Sequence, residues 1–75
     1  MSIDGTALTK RVGRNCAEAR RGAGLSQLQL GLRLYIHPND ISRLENGRNC
    51  PRLVTLVRLA RVLEVPLADL LEGIE

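Results

Sequence analysis

Within seven residues, His37, Asn39, Ser42 and Arg43 offer an imidazole, a carboxamide, a hydroxyl and a guanidinium, interleaved with Ile41 and Leu44. Such a set donates and accepts hydrogen bonds; it does not make or break covalent ones. No nucleophile stands beside a base, and neither a carboxylate pair nor a phosphate-cradling glycine loop occurs, so an enzyme is not expected. Cys16, Cys50 and the single His37 are too few and too scattered for a zinc site, which asks for about four closely spaced ligands. The two cysteines lie 34 positions apart, outside any CxxC pair, and are expected as reduced thiols. No metal, cofactor or small-molecule ligand is expected.

The elements that must position those side chains are legible in "LSQLQLGLRLYIHPNDISRLENGR", residues 25–48, where one helix-start grammar occurs twice. Leu25, Ser26 and Gln29 supply an apolar residue, a capping residue and a polar residue that reaches back; Ile36, His37 and Asp40 repeat the order. Pro38 suits a first helical position, where its missing N–H costs nothing, and pushes His37 toward the extended backbone of a cap. Leu30 and Leu34 mark an inward face on the first of these helices, Ile41 and Leu44 on the second, and Asn46 and Gly47 close the second. An earlier helix is expected over residues 6–21, with Val12, Cys16, Ala19 and Arg20 along one side and Gly22 and Gly24 ending it. A fourth is expected to open at Pro51, with Leu53, Leu56, Val57, Ala60 and Leu63 on its stripe. A short last helix, about 66–73, carries Leu67, Leu70 and Leu71. Nothing alternates as a strand does, and no repeat or linker appears, so residues 1–75 read as a single all-α domain, a compact bundle of about five short helices.

So small a chain buries a modest share of its surface, which places function on the outside. Hydrophobic residues make up 44% of the chain and aromatic ones 1%, with Tyr35 the sole aromatic, so the core must be aliphatic. No apolar run of about 18 residues suits a membrane span and no signal-peptide pattern appears, so a cytoplasmic location without membrane contact is expected. The net charge of +3 divides unevenly: all 11 basic residues lie within residues 1–61, against Asp4, Glu18, Asp40 and Glu45, while 62–75 hold only Glu64, Asp69, Glu72 and Glu75. Arginine forks suit phosphate and guanine edges, provided they converge in space. Two short helices joined by about two residues of turn cross steeply, and the second, polar on its outer side, has the width of a DNA major groove.

The words "RRGAGLSQ", "LSQLQLG", "ISRLENGR", the proline at 51 and "LARVLEVPLADLL" resemble the lambda repressor and Cro type helix-turn-helix family, often called the XRE family. The resemblance spans about residues 12–71, with the helix-turn-helix at about 26–46. It implies a sequence-specific transcriptional regulator that binds double-stranded DNA as a homodimer on a roughly palindromic operator, like phage repressors, restriction-modification controllers or antitoxins. It further implies base-edge contacts from His37, Asn39, Ser42 and Arg43, and phosphate contacts from Gln27, Asn46, Arg48, Asn49 and Arg52. Arg20 and Glu45 match a structural ion pair, and Gly31 a place where the family wants a small residue for close helix approach. Tyr35 and Glu64 stand where the family customarily has glycine. Leu67, Leu71 and Ile74, on the acidic tail that DNA would repel, are the expected dimer surface.

Other readings stay beside these. His37 is first a cap and turn residue and second a DNA contact, and Asp40 a helix-start residue before a cytosine reader. Lys10, Arg11 and Arg14 read equally as a solvated face or as phosphate contacts. Leu28 and Leu32, opposite the inward face of their helix, either pack under the N-terminal segment or form a contact patch. The alternative function is a protein-binding module that uses the same fold to engage a toxin or the transcription machinery.

Overall fold

The computed structural model describes residues 4–74; the ends of the 1–75 domain reading, residues 1–3 and 75, lie outside them. Five helices follow in order: α1 (Gly5–Gly22), α2 (Gln27–Leu34), α3 (Pro38–Glu45), α4 (Leu53–Leu63) and α5 (Leu67–Leu70), with no strand among the described residues. Each start follows local chemistry. Asp4 Oδ1 accepts the Ala7 N–H at 2.8 Å to open α1, Ser26 and Gln29 complete their reciprocal box at α2, and His37 with Pro38 opens α3.

The ends are less uniform. Gly24 and Gly47, at φ 74° and 72°, close α1 and α3, whereas α2 and α4 are closed by Tyr35 and Glu64, at φ 57° and 56°. The left-handed backbone that glycine adopts freely crowds the Cβ of any other residue, so each non-glycine stop costs on the order of 1 kcal/mol. The reversal is held all the same: the Ile36 N–H returns to Gly31 O at 2.9 Å and the Val65 N–H to Ala60 O at 3.0 Å.

Val12 and Cys16 from α1, Leu30 and Leu34 from α2, Ile41 and Leu44 from α3, Leu56, Leu59, Ala60 and Leu63 from α4 and Leu70 from α5 meet in one aliphatic core. Truncating a fully buried member such as Leu34 or Ile41 to alanine costs about 2–5 kcal/mol. The approach of α1 to α3 depends on Gly13, where a Cβ would strike the Leu44 carbonyl oxygen and stand 2.9 Å from that of Glu45. Gly31 is small for a reason other than helix approach: a Cβ there would strike the Ile36 carbonyl oxygen, so the glycine makes room for the returning turn.

Three expectations need correction. The fourth helix begins at Leu53, not Pro51, because Arg52 takes the extended backbone of a cap (φ −71°, ψ 156°). Leu53 then sits in a first turn that overhangs the core and is 68% exposed, so it leaves the inward stripe, where Leu59 stands instead. The last helix is one turn, Leu67–Leu70, shorter than 66–73. The carbonyls of Leu70 and Glu72 face α1 instead of continuing the ladder: Asn15 Nδ2 donates to them at 3.1 and 2.8 Å, and Arg11 Nε donates to Glu72 O at 3.0 Å.

Candidate nucleic-acid interface

Helix α3 buries Ile41 and Leu44 and turns its other side outward, leaving His37, Asn39, Asp40 and Arg43 exposed and Ser42 half-exposed. Asn39, Ser42 and Arg43 line a shallow concavity of about 310 Å³ together with Asn46 and Arg48. The Asn46 carboxamide folds back to donate to Ser42 O at 2.8 Å and to Ser42 Oγ at 3.3 Å, which satisfies the end of the helix and leaves the serine hydroxyl proton free to donate outward. Arg48, Asn49 and Arg52 follow on the exposed loop beyond α3.

The orientation of α3 is set at Glu45, its last residue. Glu45 Oε2 accepts Arg20 Nε at 2.7 Å, and Oε1 accepts Arg20 Nη2 at 3.0 Å and Gln27 Nε2 at 2.9 Å, while Arg20 Nη1 donates to Leu25 O at 2.8 Å. One carboxylate thereby joins α1, the turn after it, the first turn of α2 and the end of α3. The two charged side chains are only 10% and 5% exposed, and every buried side-chain polar atom among the described residues has a partner, the condition under which such a pair holds its geometry. Arg20 is therefore a positioning group, and the Gln27 carboxamide nitrogen is engaged within the protein. What Gln27 still offers is its carboxamide oxygen and its backbone N–H. With the N–H of Leu28, that N–H precedes the first helical bond, Leu30 N–H to Ser26 O at 3.0 Å.

The start of α3 is closed differently. Pro38 has no N–H, the Asn39 N–H is accepted by His37 Nδ1 at 3.0 Å, and those of Asp40 and Ile41 go to His37 O at 2.9 and 3.2 Å. Asp40 does not reach back as the repeated grammar anticipates. The bond it would make is to the N–H of His37 itself, and an aspartate is one methylene shorter than the residues that complete such a box.

Of the basic residues on α1, Arg11 is committed to Glu72 O, whereas Lys10, Arg14 and Arg21 share a concavity with Asn46 and Glu45 at the end of α3. Leu28 and Leu32 are 57% and 68% exposed and Tyr35 is 94% exposed, so the described part of the N-terminal segment does not cover them; they border an apolar groove with Ile36 and Pro38. Leu67, Leu71 and Ile74 are half-buried and pack against the protein's own core, leaving only part of each side chain outside. Cys16 is buried, and that burial, followed by the nearby Glu45 charge, pushes its thiol up to about 12, so it stays protonated and inert at neutral pH; Cys50 lies exposed in the loop. Among the described residues no group of three or more His, Cys, Asp or Glu is placed to hold a metal ion, and no helix is long and apolar enough to cross a membrane.

The sequence reading missed three structural polar contacts. Asn15 and Arg11 hold the C-terminal segment, and Arg58 Nη2 donates to Leu34 O at the end of α2. An asparagine within an otherwise apolar helix stripe was the available signal for the first; the others span dozens of residues and leave no local mark.

Comparison with known proteins gives a consistent result. A helix-turn-helix family model, HTH_3, matches residues 17–70. An uncharacterized HTH-type transcriptional regulator, y4dJ, of Sinorhizobium fredii (strain NBRC 101917 / NGR234) is 38% identical over 63 residues, 84% of this chain and 82% of that protein. The restriction-modification controller protein C.AhdI from Aeromonas hydrophila superposes with a TM-score of 0.77 at 26% identity, covering 83% of this chain and 94% of its own. A hypothetical transcription factor, NHTF, from Neisseria shares the fold with a TM-score of 0.80 at 24% identity, over 95% of this chain and 82% of its own.

Proposed function

Because this chain belongs to the HTH_3 helix-turn-helix family, whose members are DNA-binding transcriptional regulators and not enzymes, we propose that it is a cytoplasmic, sequence-specific regulator acting as a homodimer on a roughly palindromic operator. The observation that carries the proposal is the solvent-open ridge of Asn39, Ser42 and Arg43 on a helix whose opposite side is locked into the core. His37, Asn39, Ser42 and Arg43 meet base edges. Asn39 suits adenine N6 and N7, and Arg43 suits guanine O6 and N7, each such bidentate contact contributing about 1–3 kcal/mol of discrimination. Arg48, Asn49 and Arg52 meet phosphates, joined by the Asn46 carboxamide oxygen and by the Gln27 backbone N–H at the start of α2.

A single eight-residue reading helix gives little affinity alone, so two copies engage half-sites about 34 Å apart through a two-fold contact. The exposed parts of Leu67, Leu71 and Ile74, on the acidic segment that DNA repels, supply that contact. The structural likeness to C.AhdI supports a restriction-modification controller role; a phage repressor or an antitoxin uses the same parts.

A second reading rests on the exposed Leu28, Leu32 and Tyr35, which suit a module that docks a toxin or the transcription machinery. Titration against duplexes from the protein's own promoter region, at several salt concentrations, separates the two. The regulator loses affinity steeply as salt rises, binds two chains per site, and loses its preference on Arg43→Ala or Asn39→Ala. Equal, weak binding to every duplex, unchanged in both variants, would favour the protein-docking reading.

A further inference from the structure

The geometry points to His37 as a one-way hydrogen-bond donor, an inference that rests on the DNA-binding reading above: Nδ1 is consumed in starting α3, and the outward Nε2–H is left for an acceptor on the duplex, a purine N7 or a phosphate oxygen. The Asn39 N–H lies 3.0 Å from His37 Nδ1, and only a lone pair accepts an N–H, so the neutral ring carries its proton on Nε2. His37 is exposed, and Nε2 has no hydrogen-bond partner among the described residues.

No backbone amide at this end of the helix competes. Pro38 has no N–H, and the amides of Asp40 and Ile41 are returned to His37 O. A serine in the same place would cap with a hydroxyl whose single oxygen is both donor and acceptor. The imidazole divides the two roles between two nitrogens. It therefore refuses the amino groups of cytosine and adenine and donates only to a partner with a lone pair, so the polarity of the His37 contact is fixed before DNA arrives.

The test uses the whole chain as wild type, His37→Asn and His37→Ala, with a duplex selected by the wild type from a random pool. Asparagine keeps an oxygen for the cap but is too short to carry the outward donor. We expect His37→Asn to unfold at the wild-type temperature and to bind about fivefold to tenfold more weakly, and His37→Ala to lose both affinity and thermal stability. Replacing one purine by its 7-deaza analogue, or one phosphate by a neutral methylphosphonate, weakens the wild type and leaves His37→Asn unchanged. The first result identifies the base edge as the acceptor, the second the backbone. Identical affinity and identical sensitivity to every such substitution in wild type and His37→Asn would overturn the inference. Nitrogen NMR of the free protein decides the ring itself: a proton on Nε2 supports the inference, a proton on Nδ1 overturns it. Because that measurement needs no DNA, failure of the inference is told apart from failure of the DNA-binding reading, whose signature is a wild type that prefers no duplex.

Discussion

The starts of α2 and α3 look alike in sequence and differ in what they leave over. At α2 the serine and glutamine cap each other through short side chains, and the backbone N–H groups of Gln27 and Leu28 stay open to an outside anion. At α3 an imidazole and a proline use up every amide of the first turn, so that end meets its surroundings with side chains alone. An open backbone recognises phosphate wherever DNA is found; side chains discriminate one base pair from another. On the DNA-binding reading proposed above, the two starts divide affinity from specificity, eleven residues apart, and the Gln27 to Glu45 bond ties the first of them to the far end of α3.

Removing that joint gives the largest expected effect. Glu45→Ala strands the Arg20 guanidinium in a site where it is almost fully enclosed and should destabilise the fold by about 3–5 kcal/mol, read as the urea midpoint of the helical circular dichroism. A loss below about 1 kcal/mol would mean that α3 is held in place without this carboxylate. Next come the functional contrasts. Arg43→Ala should cost about 1–3 kcal/mol against the preferred site and flatten the ranking of sites, whereas Arg48→Ala should weaken all sites alike and lower the salt slope by about one. If both variants produced the same pattern, the division of labour would fail.

Capping comes third. Ser26→Ala removes the hydroxyl half of the reciprocal box and His37→Ala the imidazole bond, one hydrogen bond each, so both should destabilise by about 1 kcal/mol, read as thermal unfolding. The smallest effect tests the turn between the starts. Tyr35→Gly should stabilise by up to about 1 kcal/mol by relieving the left-handed residue, and Glu64→Gly should act alike at the end of α4.

Much of this architecture was written locally. The Ser26 and His37 caps, the Leu30, Leu34, Ile41 and Leu44 faces and the Arg20 to Glu45 pairing follow from spacing or from family likeness, because each depends on neighbours within a turn or on a recurring word. The left-handed Tyr35 was legible only as a conflict, since a tyrosine in a glycine position states that something yields but not what. The start of α4, the end of α5 and the roles of Asn15 and Arg58 were not legible. The first rests on the backbone that Arg52 adopts, and the others on carbonyls brought close by the fold, such as Leu70 O, which lies 55 residues from the asparagine that binds it. Of the interface, the polar ridge was visible as a pattern, whereas the commitment of the Gln27 and Asn46 carboxamide nitrogens to partners within the protein emerged only with coordinates.

The all-aliphatic interior also fixes how the molecule can be watched. Its only fluorescent side chain, Tyr35, is 94% exposed in the turn between the two starts, so ultraviolet emission is blind to the core and senses one corner of the surface. Light from that tyrosine will report what touches the turn, and unfolding has to be followed through the helices themselves.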